Sequence, residues 1–157
     1  MRDARKRAFE DAMFVRLFRL WAMGREDHTS ALPAMHAEAT KHGYKDHAAA
    51  ACSSLFELVE GHLGRQLVRE CCCSPSFSSD EKALIGILRS ALSLFSGRGS
   101  REVPHGLPGA ISWAASCVCD AMGITIDPEI QALKSSSANR QDCPFKSTAG
   151  EAAIYGL

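Results

Sequence analysis

At 157 residues, with 18 acidic and 18 basic side chains and no net charge, the chain suits one domain and carries no global field toward nucleic acid or anionic membrane. Its apolar residues nowhere form the ~20-residue run that crosses a bilayer, and the basic start Arg2 to Arg7 leads into an amphipathic pattern rather than a secretory core. These features predict a cytoplasmic protein with no membrane association and no nucleic-acid partner, whose seven cysteines are reduced.

From about Asp3 to Met23 the residues Met13, Phe14, Leu17, Phe18 and Trp21 recur at spacings of three and four, as a helix with a broad apolar stripe requires. Arg5, Arg16 and Arg19 share another face. With Phe9 and Met13, the stripe covers more than half of the circumference, which predicts that Phe14, Phe18 and Trp21 are covered by the chain's own tail or by a second copy or protein partner, the interface then being rimmed by Arg16 and Arg19. Gly24 ends this pattern. Thr29 or Ser30 can cap a short second helix with Pro33 in its first turn, closing at Gly43.

Asp46 can cap a third helix whose stripe runs Ala48, Cys52, Leu55, Val59, His62, Leu63 and Leu67 and which extends toward Arg69. Gly61 and Gly64 lower helix propensity there and suggest close approach of a neighbouring helix. A fourth helix carries Leu84, Ile85, Leu88, Leu92 and Phe95 to Ser96-Gly97, and a fifth begins near Pro108 and carries Ile111 to Met122, stopping at Gly123. Asp127-Pro128 opens a short sixth helix. The run Ser135 to Asp142 reads as the start of a flexible tail. The expectation is therefore an all-α fold, a single compact bundle of five to six helices with essentially no strand. It comprises a helical domain over 1–134, built around the third and fourth helices, and a Ser-rich flexible C-terminal tail over 135–157.

The unusual chemistry is concentrated at Cys71-Cys72-Cys73-Ser74-Pro75, between the third and fourth helices. Pro75 lacks an N–H and biases Ser74 away from helix, so the chain must turn here. Ser78 and Glu81, three residues apart before Leu84-Ile85, have the spacing of a capping box, in which each side chain accepts from the other's backbone N–H. As small apolar groups in a helix corner the three thiols would be buried and unreactive. As ligands, Cys71 and Cys73 would project to one side of an extended segment and, with Cys117 or Cys119 and His62 or His105, could supply the four sulfur or nitrogen donors that zinc requires, Cys117 and His62 being the preferred pair. The Cys117-x-Cys119 pair cannot serve together on an unbroken helix, because two residues are about 200° apart around the axis.

Gly97 to Gly109 is the longest predicted connection, and its Arg98, Arg101 and His105 before a helix start form an anion-attracting loop. Hydrolase, kinase and dinucleotide motifs are absent from the sequence, which makes an enzyme the third choice. Through Cys71-Cys72-Cys73 followed by Ser78, Asp80 and Glu81, the chain resembles an uncharacterised family of small helical proteins from sphingomonad-type bacteria. That resemblance implies a helical fold and transfers no functional residue. The function expected is a non-enzymatic binding or regulatory module acting through a helical surface, and homo-oligomeric; the alternative is a zinc-binding or redox-responsive protein using the cysteine elbow.

Overall fold

The structure, a computed structural model, describes residues 2–95 and 107–125, all within one compact unit, Met1–Ile126. Five helices and no strand occur among the described residues: α1 (Arg2–Glu26), α2 (Leu32–Lys41), α3 (Ala48–Leu63), α4 (Ser79–Phe95) and α5 (Leu107–Met122). None is long and apolar enough to cross a membrane. The expected sixth helix, the tail over 135–157 and the loop residues Arg98, Arg101 and His105 lie outside the described residues.

The periodic apolar positions explain the assembly. Helix α3 packs most extensively on α5, and α5 also on α4, so the centre is the α3–α5 pair rather than the third and fourth helices. Helix α1 lies across α2, α3 and α4. Phe56 of α3 is fully buried and meets the rings of Phe14 at 5.5 Å, Phe18 at 5.2 Å and Trp21 at 5.4 Å. Packed aromatic pairs of this kind contribute about 0.5–1.5 kcal/mol each beyond the area they bury. The proposed partner-facing residues Phe14, Phe18 and Trp21 are therefore core residues of the single chain, because α2, α3 and α4 together cover the stripe from Met13 onward, while Phe9 near its start stays 53% exposed.

Several boundaries move for identifiable reasons. Helix α1 runs through Gly24 to Glu26, and Gly24 is required where α1 meets the following turn: a Cβ there would lie 2.6 Å from that of Ala31. Thr29 donates to the Gly24 carbonyl instead of capping α2, whose N-cap is Ala31 with no side-chain bond. His47, not Asp46, precedes α3. That helix stops at Leu63, where Gly64 takes the left-handed conformation (φ +65°) and returns its N–H to the Glu60 carbonyl, so Leu67 belongs to a loop. No neighbouring helix approaches Gly61 or Gly64; both lie open.

Candidate functional site

Residues 65–78, between α3 and α4, have no regular structure, yet are held from both sides by charged groups. The capping box forms as expected: Ser78 N–H donates to Glu81 Oε2 at 2.9 Å, and Glu81 N–H to Ser78 Oγ at 3.1 Å. Ser78 Oγ in turn donates to the Val68 carbonyl at 2.7 Å, tying the helix start back across the loop. Next to it Asp80 receives both Nη atoms of Arg65, at 2.7 and 2.8 Å, and the Val68 N–H at 2.7 Å. The Arg65 guanidinium holds the Asp80 carboxyl down at about 2.

Arg19 carries the centre of this arrangement. It projects from α1, 7% exposed at its side chain, onto the fully buried Glu81 carboxylate through Nε at 2.8 Å and Nη2 at 2.9 Å. Its remaining N–H groups donate to loop carbonyls: Nη1 to Cys71 at 2.9 Å and Ser74 at 2.8 Å, and Nη2 to Ser76 at 2.7 Å. Burial pushes the Glu81 carboxyl up, but Arg19 and the N–H groups of Ser78 and Glu70 outweigh it and leave it below its ordinary value. A buried carboxylate and guanidinium with this many partners form a satisfied network, which makes the loop backbone definite without secondary structure.

Two outer pairs complete the frame. Arg69 donates to Glu26 at the end of α1 through Nη2 at 2.6 Å, and Glu60 pairs with Arg25 and accepts the Leu67 N–H at 2.7 Å. Leu67 is thereby drawn into the core at 4% exposure.

On this frame the three cysteines form the outer edge of a turn closed by the Ser74 N–H on the Cys71 carbonyl at 2.9 Å. All three are exposed, the reverse of the buried packing expected for free thiols. The reason is that Pro75 and the Arg19 bonds aim carbonyls, not side chains, inward. Cys71 Sγ lies 3.2 Å from Cys73 Sγ, and the Sγ atoms of Cys71, Cys72 and Cys73 all lie within 4.8 Å of one another. Hydrogen bonds from the Cys73 backbone and thiol, with the Cys72 thiol and the positive charge of Arg69, push the Cys71 thiol below its ordinary range. The same contact pushes the Cys73 thiol above its ordinary range.

The other proposed ligands are elsewhere. His62 is exposed near the end of α3 and lines a separate cavity of about 430 Å³ with Gly86, Ile87 and Ser112. Cys117 is half-buried on α5; neither joins the three-sulfur cluster. Cys72, which the extended reading left out, does join it, because the segment turns. Cys119 sits on the buried side of α5, its thiol pushed up to about 12 chiefly by burial.

Arg16 and Arg19, paired as an interface rim from sequence, separate in the fold: Arg16 stays exposed and meets Glu38 at 2.6 Å, whereas Arg19 is buried. Beside the cysteines, an apolar groove of about 560 Å³ runs between α1, at Ala12, Val15 and Leu20, and the loop, at Cys72, Cys73 and Phe77. The role of Arg19 leaves one trace in the sequence: it stands four residues after Val15 and three before Ala22, both buried positions. No family model, curated protein or solved structure matches the chain.

Proposed function

We propose that the chain is a thiolate-based binding module that takes a thiophilic metal ion on Cys71, Cys72 and Cys73. The observation that carries this reading is the convergence of three exposed Sγ atoms within 4.8 Å on a loop whose backbone is pinned from beneath. Thiolate ligands at about 2.3 Å from a zinc ion lie about 3.8–4.0 Å apart from one another, so small side-chain rotations suffice to seat an ion. Soft sulfur donors select zinc or monovalent copper over calcium and magnesium. Three protein ligands also leave a position open for a fourth donor, from solvent or from a partner. Arg69 favours the thiolate at Cys71 and lowers the cost of assembling several negative sulfurs together.

Cobalt(II) titration of the reduced full-length protein tests the reading, because sulfur-to-metal charge transfer reports thiolate coordination directly. One equivalent is expected to develop the band and zinc to displace it. A variant with Cys71, Cys72 and Cys73 all changed to serine loses it while keeping its helical circular dichroism. Undiminished binding in that variant, or no band in the native chain, overturns the proposal.

A further inference from the structure

The three sulfurs are not equivalent. Cys71 and Cys73 approach to 3.2 Å, with the Ser74 N–H to Cys71 carbonyl bond folding the chain between them. A disulfide bond of about 2.05 Å requires the sulfurs to close by only a little over 1 Å more. Two residues span at most about 7 Å when extended, and a turn shortens that span into the range disulfides occupy. Cys72 is adjacent to both, and a bond to either neighbour would have to close within a single peptide unit, which demands a strained backbone. The Arg19 bonds to the Cys71 and Ser74 carbonyls hold the turn on both sides of the pair. Both sulfurs are open to solvent.

We infer that Cys71 and Cys73 form a dithiol–disulfide couple that reacts with low-molecular-weight disulfides, with Cys72 left as a free thiol. The thiolate of one attacks the disulfide RSSR, breaking its S–S bond, forming a mixed disulfide and expelling RS⁻. The second thiolate then attacks the protein sulfur of that mixed disulfide and expels the other RS⁻. Two protein thiols are oxidised by two electrons in all, one RSSR is reduced to two RSH, and the protons lost by the cysteines end on the leaving thiols. The couple stands independently of the metal reading. Its consequence for metal rests on that reading: closure removes two of the three sulfurs, so oxidation releases the ion.

The test uses the 157-residue chain with its seventh cysteine, which lies outside the described residues, replaced (Cys143→Ser) so that it cannot compete for the oxidant; the protein is reduced, freed of metal and incubated with oxidised glutathione, then alkylated. Trypsin releases Glu70 to Lys82, a peptide holding all three thiols and no others. The expected product has lost two hydrogens and carries one alkyl group. Cys72→Ser closes as fully as the parent, whereas Cys71→Ser and Cys73→Ser do not close. A peptide that stays triply alkylated, one that stops at the glutathione adduct, or equal closure in Cys73→Ser each overturns the couple. Metal uptake by the same reduced sample is scored separately: uptake without closure removes the couple alone, and closure without uptake leaves it intact while removing the metal reading.

Discussion

Arg19 and Glu81 show how much one buried pair can organise. Removing a single partner of a buried, hydrogen-bonded ion pair costs about 3–5 kcal/mol, because the survivor keeps its charge without compensation. Arg19→Met is therefore expected to lower unfolding free energy by about that amount in a denaturant titration. Adding Glu81→Leu should restore part of the loss, yet leave the Cys71, Ser74 and Ser76 carbonyls without the guanidinium that ties them to α1. Amide exchange across the loop should then speed up in the double variant even where global stability returns. Ser78 acts on a smaller scale: its hydroxyl accepts from Glu81 and donates to Val68, so Ser78→Ala is expected to cost about 1–2 kcal/mol, read from a thermal melt.

Glycines separate two kinds of helix position at the scale of the element. Gly24 lies inside α1 where a methyl group would strike Ala31 Cβ at 2.6 Å and its Cα at 2.9 Å, neither of which can swing aside. Gly61 lies inside α3 with nothing within 4 Å and no positive φ. Alanine in place of glycine gains about 1 kcal/mol of helix propensity, whereas overpacking costs about 1–3 kcal/mol. Gly61→Ala should accordingly raise the melting temperature and Gly24→Ala should lower it. Equal shifts of the same sign would contradict the α1–Ala31 contact.

For the whole molecule, the anchoring carboxylates set the acid limit. Asp80 titrates at about 2 in the folded chain, below the ordinary aspartate value of about 3.9 in an unfolded one. A depressed folded value contributes stability that is present above the unfolded value and is lost as pH falls through the folded one. Between about pH 4 and pH 2 the chain should thus lose on the order of 1–2 kcal/mol from Asp80. Glu81, whose carboxyl is also held below its ordinary value, contributes a loss of the same sign as the medium is acidified. Asp80→Asn should flatten that part of a stability-against-pH curve. The aromatic core acts at the same scale. Because Phe14 and Phe18 are fully buried against Phe56, changing both to serine is expected to unfold the chain rather than dissociate a dimer. Far-ultraviolet circular dichroism beside light scattering distinguishes the two outcomes.

The helices, the capping box at Ser78 and Glu81, and the turn forced at Pro75 were legible in the chain because each depends on local periodicity or on the chemistry of neighbouring residues. Other features depended on what lies across the fold. Phe14, Phe18 and Trp21 read as surplus apolar surface until α2, α3 and α4 enclosed them from several directions. The three thiols read as buried until a buried arginine, 52 residues before Cys71, claimed the loop's carbonyls and left the sulfurs outside. Spacing along a chain determines which residues share a helix face. Which charge reaches which backbone oxygen is decided only when the helices pack, since desolvating Arg19 and Glu81 is tolerable solely with every partner in place.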